Sequence, residues 1–194
     1  LPLDDATAVV FVVDASGSLV DTLPLVIDEL DRVIAQLRPD QRFTVLFYQK
    51  DRVAEVPPAG LKDATRRTKA DVRRWMSPQA GNIFAVGPSY PLDALKRALE
   101  LQPDQVYLLA DKVGSRVSDP DAAGRLLREL TDLAADSRVQ INAIQFFYDD
   151  PQRALERLAQ QHKGTYRFVT LDEANANPPR PAEADALQRL LEGG

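Results

Sequence analysis

Residues 8–13 read AVVFVV, apolar at every position, and no other stretch limits the possible folds so sharply. A strand with one wet face alternates polar and apolar side chains, whereas one that is apolar on both faces needs helices above and below it, as in a parallel sheet. The next segment has the other period. Over residues 22–37 the apolar positions Leu23, Val26, Ile27, Leu30, Val33, Ile34 and Leu37 recur at helical spacing, with Asp28, Glu29, Asp31 and Arg32 between them and Pro24 in the first turn. A buried strand followed by an amphipathic helix is the start of a parallel α/β unit.

The pattern repeats. Arg38-Pro39-Asp40 stops the helix, FTVLFY at residues 43–48 is a second strand, and residues 52–56 pair antiparallel beside it before Pro57-Pro58 breaks the run. Residues 62–76 and 91–101 read as helices, and VYLLA at 106–110 as a buried strand. Asp119-Pro120 opens a helix through about residue 135 that carries Leu126, Leu127, Leu130 and Leu133 inward. Residues 139–147 form a strand, Asp150-Pro151 caps a helix that Gly164 closes, and residues 166–169 form a last strand. The expected fold is α/β: a doubly wound, Rossmann-like three-layer α/β/α domain whose central sheet is mostly parallel with an antiparallel edge strand. It spans residues 1–171, and residues 172–194 read as a Pro-rich linker (NANPPRP) with a short C-terminal helix.

Composition removes several functions. The net charge of -5, from 29 acidic and 24 basic residues with signs interleaved, lacks the basic face of a nucleic-acid binder and suits neutral or basic partners. With no Cys there is no disulfide scaffold, thiolate zinc site, iron-sulfur cluster or cysteine nucleophile. No apolar run reaches the roughly 20 residues that cross a bilayer, so this segment inserts in no membrane. The chain opens on Leu1 rather than Met, and the expectation is a monomeric module excised from a larger, envelope-anchored or extracytoplasmic protein.

Sites in such sheets lie at the carboxyl ends of the strands. The polar residues there are Asp14, then Gln49 and Lys50, then Asp111, then Asp149 and Asp150. Asp14-Ala15-Ser16-Gly17-Ser18 is the densest group: three oxygen-bearing side chains alternate within five residues, and Gly17 permits a tight turn. Carboxylate and hydroxyl oxygens are hard ligands for Mg²⁺, Mn²⁺ or Ca²⁺; Mg²⁺, the first choice, commonly takes only one or two carboxylates and leaves positions open. The alternative is that these side chains only cap turns and the helix start.

Phe11-Val12-Val13-Asp14-Ala15-Ser16-Gly17-Ser18 resembles the first motif of the von Willebrand factor type A domain, here in its bacterial-type form. That resemblance implies a metal-ion-dependent adhesion site, built in the family from DxSxS, a Thr in a Gly-rich loop before a helix, and an Asp after a later strand. Gly87-Pro88-Ser89 resembles the Gly-rich loop, with Ser89 in the Thr position. Val106 to Lys112 (VYLLADK) resembles the strand that ends in Thr-Asp-Gly, which makes Asp111 the second carboxylate. The implied ligands of the divalent cation are therefore Asp14, Ser16, Ser18, Ser89 and Asp111. Two positions depart from the pattern: Ala110 replaces a hydroxyl and Lys112 replaces a small residue, placing an ammonium where it can relieve the repulsion between two carboxylates.

Three functions follow. The first is a non-enzymatic, adhesion-type module that binds an Asp or Glu carboxylate of a protein partner through the cation. The second is a Mg²⁺-dependent aspartyl-phosphate phosphotransferase with Asp14 as nucleophile, although Ser16 stands where those enzymes resemble DxDx[TV], with a second Asp as general acid. The third is a structural or assembly domain with a degenerate site. Elsewhere, His162 reads as an exposed side chain stabilised by a helix carboxyl end. Trp75 and Met76 read as cover for the core edge, Arg66, Arg67, Lys69, Arg73 and Arg74 as a solvated helix face, and Asp150 as a cap.

Overall fold

The computed structural model describes residues 3, 5–49, 52–88, 90–112, 122–134 and 138–176. In chain order the elements are β1 (Ala8–Asp14), a 3-10 turn (Gly17–Leu19), α1 (Leu23–Gln36), β2 (Arg42–Gln49), β3 (Arg52–Glu55), β4 (Lys62–Asp63), α2 (Arg66–Met76), a second 3-10 turn (Pro78–Ala80), α3 (Leu92–Glu100), β5 (Gln105–Ala110), α4 (Ala122–Ala134), β6 (Gln140–Phe146), α5 (Ala154–Gln161), β7 (Tyr166–Val169) and α6 (Leu171–Ala176).

β1 is buried at every position and sits inside a sheet of order β3-β2-β1-β5-β6-β7. It runs parallel to β2, with Ala8 opposite Arg42 and Asp14 opposite Tyr48, and parallel to β5, with Val9 opposite Gln105 and Val13 opposite Leu109. β5, β6 and β7 continue the parallel sheet, while β3 and the short β4 pair antiparallel with β2. The apolar run therefore does what its pattern requires. Val9, Phe11 and Val13 face α1, α2 and α6 in one core, and Val10 and Val12 face α3, α4 and α5 in the other. This three-layer architecture is the one expected, with the antiparallel edge at β3.

Several local expectations are corrected. Lys62 and Asp63 belong to a strand, not to the helix read over 62–76; the helix starts at Arg66, because the Thr65 hydroxyl accepts the Thr68 amide at 3.1 Å and caps it there. Leu127 is buried but Leu133 is 42% exposed. Six residues along a helix amount to about 120° of rotation, so the two cannot share one narrow face. The side chains of Leu126 and Leu130, and the Asp119-Pro120 start, lie outside the described residues. The sequence reading did not anticipate α6, where buried Ala174 joins the first core and Glu173 pairs with Arg167. Residues 177–194, most of the expected linker and its helix, lie outside the described residues.

Polar contacts tie the layers. Buried Glu29 of α1 takes Arg32 and, from β7, Arg167, each at 2.8 Å. Lys69 of α2 donates to the carbonyls of Ala35 and Leu37 at the end of α1, and Arg73 pairs with Asp31. The basic cluster on α2 is thus partly structural rather than only a solvated face. Met76 is buried, and Trp75 packs 6.3 Å from Phe47, as cover for the core edge. Asp150 accepts the amides of Gln152 and Ala154 at 2.9 Å each and so satisfies the first amide of α5, but the helix starts at Ala154 with Arg153 in the N-cap position, three residues later than an Asp150-Pro151 start would give.

Candidate functional site

β1 and β5 deliver their last residues side by side at the carboxyl edge of the sheet. Asp14 ends β1 and is fully buried. Since Val13 is level with Leu109, Asp14 is level with Ala110, and Asp111 stands one residue beyond. Adjacent strands lie about 4.8 Å apart and each residue rises about 3.3 Å, which puts the two aspartate Cα atoms about 6 Å apart.

The chain after Asp14 folds back on it. The Ser16 amide donates to Asp14 Oδ1 at 2.7 Å, and the Ser16 and Ser18 hydroxyls lie 3.0 Å apart. Ser16 is buried while Ser18 opens to solvent. The following 3-10 turn is held by the Leu19 amide on the Ser16 carbonyl at 3.1 Å and by the buried Leu19 side chain. Asp14, Ser16 and Ser18 are thereby gathered in one turn.

A second loop is joined to this turn. The Val86 amide donates to the Ala15 carbonyl at 3.0 Å, and the Gly17 amide donates to the Gly87 carbonyl at 2.9 Å. The left-handed residue of the junction is Gly87, at φ 75°, not Gly17. A Cβ on Gly17 would meet Gly87 O at 3.5 Å, an ordinary contact, so the tight turn does not depend on that glycine. Ser89 lies outside the described residues, as does Lys50. Asn82, in the same loop, spends its amide on the Trp75 carbonyl at 2.9 Å.

Asp111 carries the unusual chemistry. It is fully buried, and neither Oδ1 nor Oδ2 has a hydrogen-bond partner among the described residues. An unpaired buried carboxylate is costly, and a cation is the natural group to offset it. Ala110 packs into the second core and Lys112 is half-buried beside Asp111. Among the described residues no group of three or more His, Cys, Asp or Glu side chains comes together. What the edge provides is two carboxylates and neighbouring hydroxyls, a donor set that suits a hard divalent ion with an incomplete protein shell.

Asp149 and Asp150 follow β6, two strands from β1. His162 is not the exposed cation expected from its place at the end of α5. It is half-buried, its Nε2 is enclosed without a hydrogen-bond partner among the described residues, and burial pushes its pKa down. Helix position foretold its backbone, but not what the ring would pack against. Sequence reasoning also missed Val20, Phe84 and Val86, large apolar side chains exposed around this edge; they sit in irregular backbone where no period announces them.

A family model described as von Willebrand factor type A domain matches residues 7–168. No curated protein matches the chain. Solved structures share the fold at low identity. A von Willebrand factor type A protein from Catenulispora acidiphila has 16% identity and a TM-score of 0.65 over 88% of this chain and 41% of its own. Proximal thread matrix protein 1 from the mussel byssus, in a structure with a zinc-occupied MIDAS motif, has 21% identity and a TM-score of 0.61 over 87% of this chain and 43% of its own. The SpRpn10 VWA domain has 12% identity and a TM-score of 0.60 over 95% of each chain. The chain thus spans about two fifths of the Catenulispora and mussel proteins.

Proposed function

The chain belongs to the von Willebrand factor type A domain family, and from that premise we propose that it is a non-enzymatic binding module with a divalent-cation site at the carboxyl ends of β1 and β5. Asp14 and Asp111 supply the charged ligands, Ser16 and Ser18 the neutral oxygens, and Ser89 the hydroxyl from the joined loop, directly or through water. Mg²⁺ fits this donor set first, with Mn²⁺ or Ca²⁺ as substitutes; the mussel protein, of the same fold and with a zinc-occupied MIDAS motif, supports a divalent-ion reading. The single observation that carries the reading is the buried Asp111 carboxylate, neither oxygen of which has a hydrogen-bond partner among the described residues, one strand from Asp14.

The protein's own groups then define the chemistry. The two buried carboxylates repel each other and any incoming anion, so the edge accepts anionic oxygen only when a dication is held between them. Ser16 and Ser18 add no charge, which leaves the bound ion a net attraction for one further carboxylate. An Asp or Glu of a protein partner is that ligand, and the interaction is lost in chelator.

Lys112 and Ala110 favour a second reading, a structural domain whose ammonium stands in for the ion. Thermal melts separate the two. With Mg²⁺ or Mn²⁺ at about 100 times its dissociation constant the protein gains about 2.7 kcal/mol, and Asp14→Ala abolishes the gain; no shift with any divalent ion supports the structural module instead.

A further inference from the structure

A cation and a carboxylate alone do not select one acidic segment from another, and the edge carries an apolar feature that does. Val20 is 63% exposed, Phe84 64% and Val86 50%. Scattered apolar side chains on a surface are ordinary, but these three stand on two loops that are hydrogen-bonded to each other. The amides of Val86 and Gly17 stitch the 83–88 loop to the DxSxS turn, and a Cβ on Gly17 would come within 4.0 Å of the Val86 carbonyl carbon. Val20 follows Gly17 by three residues at the end of a 3-10 turn, a geometry in which such positions lie one above the other. Phe84 rests against Gly81, its Cζ 3.7 Å from where a Cβ there would be. Val20 and Val86 therefore flank the junction whose hydrogen bonds shape the candidate ion site, and Phe84 stands two residues before Val86 on the same loop.

We propose that Val20, Phe84 and Val86 form a shelf that selects a protein segment in which the Asp or Glu is flanked by large apolar or aromatic side chains. The inference rests on the cation reading, since the carboxylate of that segment needs a dication between Asp14 and Asp111. Charge complementarity argues for this occupant. The edge has a negative pit that a dication reverses, and the three shelf side chains are themselves uncharged and apolar. Apolar flanks lose their water against the shelf as the carboxylate enters the ion's shell, so the two contacts act together.

Two synthetic peptides test this, acetyl-Gly-Phe-Glu-Leu-Gly-amide and acetyl-Gly-Ser-Glu-Ser-Gly-amide, titrated by calorimetry into the protein with saturating Mn²⁺. The apolar-flanked peptide binds at least about tenfold tighter. Phe84→Ser with Val86→Ser removes that preference while Mn²⁺ affinity, measured in the same preparation, is unchanged. Equal affinities for the two peptides, no binding of either, or a preference that survives in the double variant overturns the shelf. Equal, Mn²⁺-dependent binding of both would do so while leaving the cation reading intact. A preference that persists in EDTA and in Asp14→Ala contradicts both.

Discussion

Asp111→Asn has opposite effects on stability with and without the ion, and the structure sets the size of each. With the metal removed, the wild-type protein holds two buried carboxylates whose Cα atoms are about 6 Å apart, one on β1 and one just past β5. At an effective dielectric of about 20, two unit charges at that distance repel by about 3 kcal/mol. Asn keeps the shape of Asp and removes one charge, and its amide can donate toward Asp14. Allowing for the solvent screening and repositioning that the wild type already uses to ease the repulsion, the variant should gain about 1–2 kcal/mol in EDTA. Melting temperature should rise by about 2–8 °C for a chain of this size. In Mg²⁺ at about 100 times its dissociation constant the wild type recovers about 2.7 kcal/mol by linkage, the variant recovers little, and the order of stability reverses. Urea unfolding with and without EDTA reads both arms, with an unchanged slope as the sign that only stability has moved. If Asp111→Asn loses 1 kcal/mol or more in EDTA, the carboxylate is serving native donors and the reasoning from two unmatched oxygens is refuted.

Other perturbations test the scaffold. Gly164→Ala places a Cβ 1.8 Å from the Ile141 carbonyl oxygen and 2.5 Å from its carbon, backbone atoms of β6 that cannot move without disturbing the β5–β6 ladder, where Ile141 is level with Val106; the expected loss is about 3 kcal/mol or more in urea unfolding, and a loss below about 1 kcal/mol contradicts the packing. Burial lowers the His162 pKa from 6.5, so the unfolded chain binds the extra proton and stability falls as pH drops below that value; His162→Gln should flatten the decline in melts at about pH 7 to 5. Lys62 donates to Thr44 Oγ1, Val56 O and Gly60 O at 2.8, 2.9 and 3.2 Å, and burial brings its pKa down to about 8 from 10.5. Here too the unfolded state binds more protons between those values, so stability rises with pH above about 8, until near pH 10 the raised pKa of buried Tyr107 begins to oppose it. Lys62→Met should abolish the rise, as seen in urea midpoints at about pH 7.5 and 9.5.

Much of the fold was legible because parallel strands covered on both faces leave an unbroken apolar run. AVVFVV and VYLLA announce β1 and β5, and the helices between strands carry a stripe that only a sheet can cover. β4 and α6 were not legible: two and six residues are too short for any period, and their places are fixed by pairing with β2 and by packing on α1 and β7. At the site, Asp14 and Asp111 were readable because strand ends in such a sheet meet at one edge. The loop through Ser89 has no period, so the sequence carried the hydroxyl but not the junction between Gly17 and Gly87. The same lack of period hid Phe84 and Val86, and the ring of His162 was misjudged because helix spacing reports which way a side chain starts, not what it meets.

The most direct test is a crystal soaked in Mn²⁺ and measured at the manganese absorption edge. One anomalous peak is expected within coordination distance of Asp14 and Asp111, with oxygens of Ser16, Ser18 or Ser89 completing the protein's share directly or through water. A soaked crystal with no peak at that edge, or with Lys112 Nζ between the two carboxylates instead, would contradict it.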